Sequence, residues 1–334
     1  MISIQKNNIL TFLITGGSGF IGSSLADYLL SLGHRVINID NMNDYYDVSI
    51  KEDNIKDALN SPAYRFYNLD ICDFTEVDQV FNANKIDYII HLAARAGVRP
   101  SIENPLLYQD ANGFGTNVIL EMAKKYQISK VVLASSSSVY GNNKKTPFAE
   151  TDTVDFAISP YAASKKANEV LGHVYHKLYN IDMIFLRFFT VYGPRQRPDL
   201  AINKFMHLID AGKPIQMFGD GTTARDYTYI GDIVSGIVKS VNYLMNHHEV
   251  YEIINLGNNH PISLLKMIKT IEEALAKNAV IEQLPMQPGD VDITYADISK
   301  ANSLLGYSPT TSFDEGIRKF VVWYKSNKER NKWK

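Results

Sequence analysis

Short apolar runs alternate along the first half of this chain with longer segments in which apolar residues recur at helical spacing. The runs are Leu10 to Thr15, Arg35 to Asp40, Tyr64 to Asn68, Tyr88 to His91, Lys130 to Ala134 and Met183 to Phe188, each bounded by glycine or polar turns. Near-continuous apolar runs of this kind predict strands buried on both faces, as in a parallel sheet covered by helices. Their alternation with helical patterns predicts an α/β fold with a doubly wound parallel sheet. Two of those patterns are long, from Leu106 to Tyr126 and from Tyr161 to Tyr179. After Phe189 the punctuation changes: Gly193-Pro194, Arg197-Pro198, Gly212-Lys213-Pro214 and Gly219-Asp220-Gly221 follow in quick succession, and the chain is expected to leave the sheet there. Ile253 to Leu256 reads as one further strand. The expected organisation is therefore a main domain over residues 1–188 with a return segment near 230–257. Residues 189–229 and 258–330 form a smaller C-terminal lobe.

Composition narrows the functional classes. With 334 residues, 45% hydrophobic and 21% charged, the chain can bury a large core. A net charge of -2 gives no basic field for a nucleic-acid backbone, so nucleic acid is not expected as a partner. Cys72 is the only cysteine, which rules out an intramolecular disulfide and a thiolate metal cage. His173 and His176 lie three apart on a helical pattern, but no third ligand completes a set, and no metal is expected. Met1 to Leu10 lacks the apolar core of a signal peptide, and no run reaches the ~18 apolar residues of a membrane span. A cytoplasmic enzyme is expected, with a solvated lysine-rich end after Lys325.

The chemistry begins at Thr15-Gly16-Gly17-Ser18-Gly19-Phe20-Ile21-Gly22, between the first strand and a helix containing Leu25, Leu29 and Leu30. Glycines there allow a tight turn and close approach of the backbone to a pyrophosphate, which the helix N-terminus favours. Gly16, Gly19, Phe20, Ile21 and Gly22 are the candidate cofactor positions, in a Rossmann-like arrangement. Asp40 ends the second strand, where a carboxylate can accept hydrogen bonds from the adenosine ribose and repel a ribose phosphate. Asn41 follows it rather than an arginine, so NAD is expected and not NADP. Asp70 and Ile71 after the third strand could meet the adenine edge, and Leu92, Ala93 and Ala94 after the fourth could let the cofactor pass close to the backbone. A turn cap and a tight packing site are the competing readings of these two stretches.

Tyr161 and Lys165 lie four apart and so share a helical face. A free tyrosine, near pKa 10, is no base at neutral pH unless a nearby positive charge lowers it, and Lys165 is expected to supply that charge. Ser136, in the run Ser135 to Ser138, would hold a substrate oxygen by hydrogen bonding and aim it. Ser136, Tyr161 and Lys165, in that order after a glycine loop, are the parts of a site that removes a hydroxyl proton while hydride passes to a nicotinamide.

These motifs, with Ser-Ser-Ser-Ser-Val-Tyr-Gly at 135–141, Pro160-Tyr161 and Leu186-Arg187-Phe188-Phe189-Thr190-Val191-Tyr192-Gly193-Pro194, resemble the extended short-chain dehydrogenase/reductase superfamily over almost the whole chain. The stretches from Asp40 to Asp47, Leu92 to Arg99, Ser101 to Pro105 and Arg197 to Asp199 are similar to the UDP-glucuronate 4-epimerases. Arg95 stands where that family usually has Gln, and Gln196 where it usually has Gly.

The resemblance implies an NAD-dependent 4-epimerase interconverting UDP-glucuronate and UDP-galacturonate through a transient 4-keto sugar. Ser136, Tyr161 and Lys165 would carry the chemistry, with Ser138 as a second hydroxyl contact. It also implies that Arg99, Thr190 and Arg197 meet the sugar or its carboxylate, that Arg225 meets the nucleotide diphosphate, and that the smaller lobe binds the nucleotide sugar. Paired guanidinium contacts to carboxylate or phosphate suit such roles, and an ordinary surface ion pair is the less favoured reading of any one arginine. Further implications are a UDP-sugar substrate, no membrane partner and a homodimer built on the two long helices. The alternatives are a UDP-glucose or UDP-N-acetylhexosamine 4-epimerase, then a nucleotide-sugar dehydratase or decarboxylase, then a non-catalytic NAD-binding scaffold. Dehydratases and decarboxylases of this superfamily typically carry acidic residues before Val-Tyr-Gly, where this chain has Ser137 and Ser138.

Overall fold

The computed structural model describes residues 8–285 and 292–327. Met1 to Asn7 and the lysine-rich end beyond Asn327 lie outside the described residues.

Six strands arise where the apolar runs stand: β1 (Thr11–Thr15), β2 (Arg35–Asp40), β3 (Tyr64–Asn68), β4 (Tyr88–His91), β5 (Lys130–Ser136) and β6 (Asp182–Phe188). The chain then leaves the sheet for β7 (Thr190–Tyr192), β8 (Pro214–Phe218) and β9 (Ala224–Tyr229). It returns with β10 (Tyr251–Leu256) and ends its strands with β11 (Pro261–Ser263) and β12 (Val280–Leu284). The seven-stranded sheet has the order β10-β6-β5-β4-β1-β2-β3, and every pairing in it is parallel. All seven residues of β6 are buried, which explains why its sequence shows no polar alternation.

Helices α1 (Phe20–Ser31), α2 (Val48–Ile55), α3 (Phe74–Ala83), α4 (Val98–Glu103), α5 (Pro105–Tyr108), α6 (Gly115–Lys125) and α7 (Pro160–Tyr179) precede the smaller lobe. They are followed by α8 (Ala201–Asp210), α9 (Ile230–Asn246), α10 (Leu264–Leu275), α11 (Ser299–Leu305) and α12 (Phe313–Asn327). Strand residues alternate between two cores. Phe12, Ile14, Val132 and Ile184 pack with Leu25 of α1 and Ile237 of α9, while Leu13, Val131 and Phe185 pack with Phe81 of α3, Ile119 of α6 and Tyr175 of α7. A third core, including Ile202, Phe205, Ile215, Met267 and Phe320, fills the region of α8, α10 and α12.

The long pattern expected from Leu106 to Tyr126 is not one regular helix. Pro105 opens α5, a π-helical stretch covers Gln109–Phe114, and α6 continues from Gly115. Helix α7 forms over the expected span. Ser159 caps it by accepting from the Ala162 N–H at 3.1 Å, Pro160 occupies the first turn, and Asn180 closes it in the left-handed conformation. Among the described residues no helix is long and apolar enough to cross a membrane.

Candidate active site

Strand order reverses direction between β1 and β4, and an open parallel sheet offers a crevice at such a point beyond its strand C-termini. A cavity of about 330 Å³ lies there. Gly16, Gly19 and Phe20 line it from the glycine loop, Asp40 and Asn41 from the end of β2, Asp70 and Ile71 from beyond β3, and Leu92, Ala93 and Ala94 from beyond β4. Ile21, Gly22, Tyr161 and Lys165, also expected to touch the cofactor, do not line it. Ile21 packs on the core, and Gly22 serves the loop from behind, because a Cβ there would stand 2.3 Å from the Gly16 carbonyl oxygen. Gly16 itself has φ +71°, and its Cβ would meet the Ala93 nitrogen at 2.8 Å, so the segment just beyond β4 approaches the loop too closely for a side chain. Gly19 gives α1 no side-chain cap, and the first turn carries no acid. The N-terminal N–H groups and the positive end of the helix dipole are therefore left for an anion.

Asp40 accepts from the N–H of Ser18 at 3.1 Å and of Met42 at 3.0 Å, and its Oδ1 lies 3.5 Å from Lys51 Nζ. Lys51 also lines the cavity; burial lowers its pKa, and Asp40 acts in the opposite direction. Asn41 Nδ2 donates to Asp70 at 2.7 Å. Burial would raise the Asp70 pKa, but hydrogen bonds led by the Cys72 N–H hold it below the usual carboxylate range. A glycine cradle, an uncapped helix end and an acid at the tip of β2 together fit a dinucleotide.

Ser136, Tyr161 and Lys165 come together where β5 ends against α7. Ser136 Oγ accepts from the Ser138 N–H at 3.1 Å and shares a hydrogen bond with the Tyr161 phenol. The Tyr161 N–H donates to Ser101 Oγ at 3.2 Å, and its ring meets Tyr108 edge-on with centroids 6.2 Å apart. Burial pushes the phenol pKa up, while the Ser136 hydrogen bond and the charge of Arg197 act to lower it. The Lys165 ammonium, on the same helix, donates to the Ala134 carbonyl at 2.8 Å. Burial lowers the Lys165 pKa to about 8, with Glu169 opposing the shift.

Glu169 lies one turn beyond Lys165 and anchors a buried network. It accepts from Ser135 Oγ at 2.7 Å and pairs with Arg187 through two 2.8 Å contacts, and Arg187 donates to Tyr140 at 3.0 Å. Beside Ser164 and Asn168 of α7 stands Asn112, in the π-helical stretch. Its side chain bonds to both the N–H and the C=O of Arg95, at 2.7 and 3.0 Å, and donates to Ser164 Oγ at 3.0 Å. The Asn112 carbonyl accepts from Asn168 Nδ2 at 2.9 Å. Lys51 and Asn112 carried no signal in the sequence, since each finds its partners only through the fold.

Of the expected substrate residues, Arg197 lines the cavity. Its guanidinium lies over the Tyr45 ring, 5.0 Å from the centroid, and forms a double contact to Asp199 at 2.9 and 2.6 Å. Arg99, Ser136, Ser138, Thr190 and Arg225 are not among the cavity's lining residues. Arg99 is exposed on α4, Ser138 follows Ser136 in a 3₁₀ turn, Thr190 begins β7, and Arg225 on β9 donates to the Ala224 carbonyl at 2.9 Å. The two unusual positions differ. Arg95 lines the cavity, whereas Gln196 is buried away from it, donating to the Val191 carbonyl at 2.9 Å. Among the described residues no group of three or more His, Cys, Asp or Glu side chains could hold a metal ion.

Residues 13–320 match the GDP-mannose 4,6 dehydratase family. A UDP-glucuronate 4-epimerase of Thermodesulfobacterium geofontis is 45% identical over 319 residues, covering 95% of this chain and 97% of that protein. An uncharacterized protein of Methanocaldococcus jannaschii is 47% identical over 319 residues, again 95% of this chain and 97% of the relative. Among solved structures, UDP-glucuronic acid 4-epimerase from Bacillus cereus in complex with UDP-glucuronic acid and NAD superposes with a TM-score of 0.88 at 36% identity, covering 95% of this chain and 99% of that one.

Proposed function

This chain belongs to the GDP-mannose 4,6 dehydratase family of extended short-chain dehydrogenase/reductases and is an enzyme of its NAD-dependent nucleotide-sugar epimerases, and we propose that it interconverts UDP-glucuronate and UDP-galacturonate. The observation that carries the choice of a uronate is Arg197, whose guanidinium lines the cavity and acts on the Tyr161 phenol, so that a carboxylated sugar presented to Tyr161 meets a cation. The NAD reading rests on the cradle at Gly16 and Gly19, with Asp40 for the adenosine ribose.

Bound NAD supplies the hydride acceptor and donor at carbon 4. Tyr161 takes the proton of the carbon-4 hydroxyl and later returns it, and Ser136 holds the same oxygen by a hydrogen bond. Lys165, charged below a pKa of about 8, contributes positive potential behind the pair. Between the two transfers the 4-keto sugar turns its other face. Arg197 and Thr190 hold the carboxylate away from the alignment that would release carbon dioxide. Arg99 and Ser138 assist in placing the sugar, and Arg225 receives the UDP diphosphate.

We further propose a homodimer. On α7 Val170, Val174 and Leu178 are exposed at four-residue intervals, and Leu106, Phe114 and Phe156 are exposed as well, with Phe156 83% accessible. An apolar face of this kind suits a second copy.

A second reading, a 4-epimerase of neutral UDP-hexoses, draws on one feature: the Arg197 fork is already filled by Asp199. Incubation with UDP-glucuronate and no added NAD separates the two, with products resolved by NMR at the carbon-4 proton and by mass. UDP-galacturonate at unchanged mass is the expected result. A product lighter by carbon dioxide means decarboxylation, and turnover of UDP-glucose or UDP-N-acetylglucosamine alone establishes the second reading.

A further inference from the structure

The cavity contains a second arginine that the function above does not use. Arg95 lines it together with Gly16, Gly19 and Lys51. Its backbone is fixed at both ends, the N–H donating to Asn112 Oδ1 at 2.7 Å and the carbonyl accepting from Asn112 Nδ2 at 3.0 Å. Arg187, Arg195 and Arg197 each hold a carboxylate, but Arg95 holds none among the described residues. A half-buried guanidinium with a fixed backbone, near Asp70 but in salt-bridge contact with no carboxylate among the described residues, is disposed to take an anion from outside.

Its position along the cavity says which anion. Arg197 acts on the Tyr161 phenol, at the reactive end. Arg95 acts on Asp70 and Lys51, at the end expected for adenosine, and on Tyr45 and Tyr108, which lie toward Arg197. A dinucleotide with its adenosine at Asp40 and its reactive ring at Tyr161 carries its diphosphate between those ends. A sugar carboxylate belongs beyond it, with Arg197.

We propose that Arg95 is a clamp for the cofactor diphosphate, adding a side-chain cation to the uncapped N-terminus of α1 that lines the same cavity. The proposal rests on the NAD reading given above. The charge of Arg95 makes this protein's grip on its cofactor sensitive to salt.

The test is equilibrium titration of cofactor-stripped wild type, Arg95→Gln and Arg95→Lys with NAD, ADP-ribose and adenosine at low and high salt, alongside thermal unfolding of each protein without ligand. Arg95→Gln should weaken NAD and ADP-ribose alike by about tenfold at low salt, the size expected for one charged hydrogen-bonded contact. It should leave adenosine unchanged and flatten the salt dependence, with Arg95→Lys recovering part of the loss. Unchanged NAD and ADP-ribose affinity in a folded Arg95→Gln protein overturns the proposal, as does a loss confined to the KM for UDP-sugar. If wild type itself binds none of the three ligands, the NAD reading fails instead. Should Arg95→Gln unfold, Arg95→Lys decides: weakening of NAD and ADP-ribose with adenosine unchanged supports the clamp, and equal weakening of adenosine overturns it.

Discussion

The reactive phenol is held by neighbours that are cheap to probe one at a time. Tyr161 shares a hydrogen bond with Ser136 and receives its backbone anchor from Ser101. Tyr161→Phe removes the proton acceptor but little packing, so turnover should fall by about 10²–10⁴-fold while the NAD content of the purified protein stays at the wild-type level. A proportional loss of NAD would show that the hydroxyl acts through the cofactor site instead. Lys165 makes a second prediction. Its pKa of about 8 means that the ammonium is lost as pH rises past that value, so kcat/KM, which reports the free enzyme, should decline above about pH 8. Lys165→Arg keeps a charge at every accessible pH, and whatever its absolute rate, that alkaline limb should disappear from its profile. At this scale Tyr161, Lys165, Ser136 and the glycine loop were legible because their spacing is itself the signal. Lys51 and Asn112 were not, because a buried lysine or asparagine acquires meaning only from what the fold sets beside it.

Helix α7 presents Tyr161 and Lys165 to the site and sets Glu169 into the sheet, where Arg187 of β6 meets it with both groups 1% exposed. Removing one partner of a buried ion pair leaves the other uncompensated. Glu169→Gln should therefore destabilise the protein by about 3–5 kcal/mol, read as a fall in the denaturant midpoint. In whatever fraction remains folded, the alkaline limb of kcat/KM should move to lower pH, since Glu169 is the group that holds the Lys165 pKa up. A stability loss without that movement would make the pair purely structural. The helix was legible from its pattern and from Ser159-Pro160 at its start. The break between Leu106 and Tyr126 was not, because apolar spacing scarcely registers one extra residue in a turn. The π stretch there accompanies a free Asn112 carbonyl for Asn168 and sets the Asn112 amide against Arg95, contacts that follow from tertiary placement.

Across the whole molecule, the doubly wound parallel sheet and the return of the chain to it near Ile253 could be anticipated because strand and helix alternate, whereas the pairing of the short strands between Thr190 and Leu284 could not. There β7 pairs with β9, β9 with β11 and β8 with β12 over gaps that no local pattern encodes. The join between the halves of the sheet is also where acid should act. His91 ends β4 beside β1, buried, with Nδ1 2.7 Å from Thr15 Oγ1 and Nε2 3.0 Å from Thr116 Oγ1. Burial, aided by the charge of Lys165, lowers its pKa to about 3, so the imidazole stays neutral in the folded protein wherever the fold survives. In the unfolded chain it titrates near its ordinary value of about 6.5. Between those two values the unfolded state binds the extra proton, so the His91 contribution is fully present above about pH 6.5 and is lost progressively as pH falls toward 3. His91→Gln can serve both threonine hydroxyls without titrating. Its denaturant midpoint, whatever its value at pH 7, should fall less steeply than that of wild type between pH 6.5 and 4. Parallel slopes would assign the acid sensitivity to other groups, and a steeper slope in the variant would mean that the imidazole is charged inside the fold.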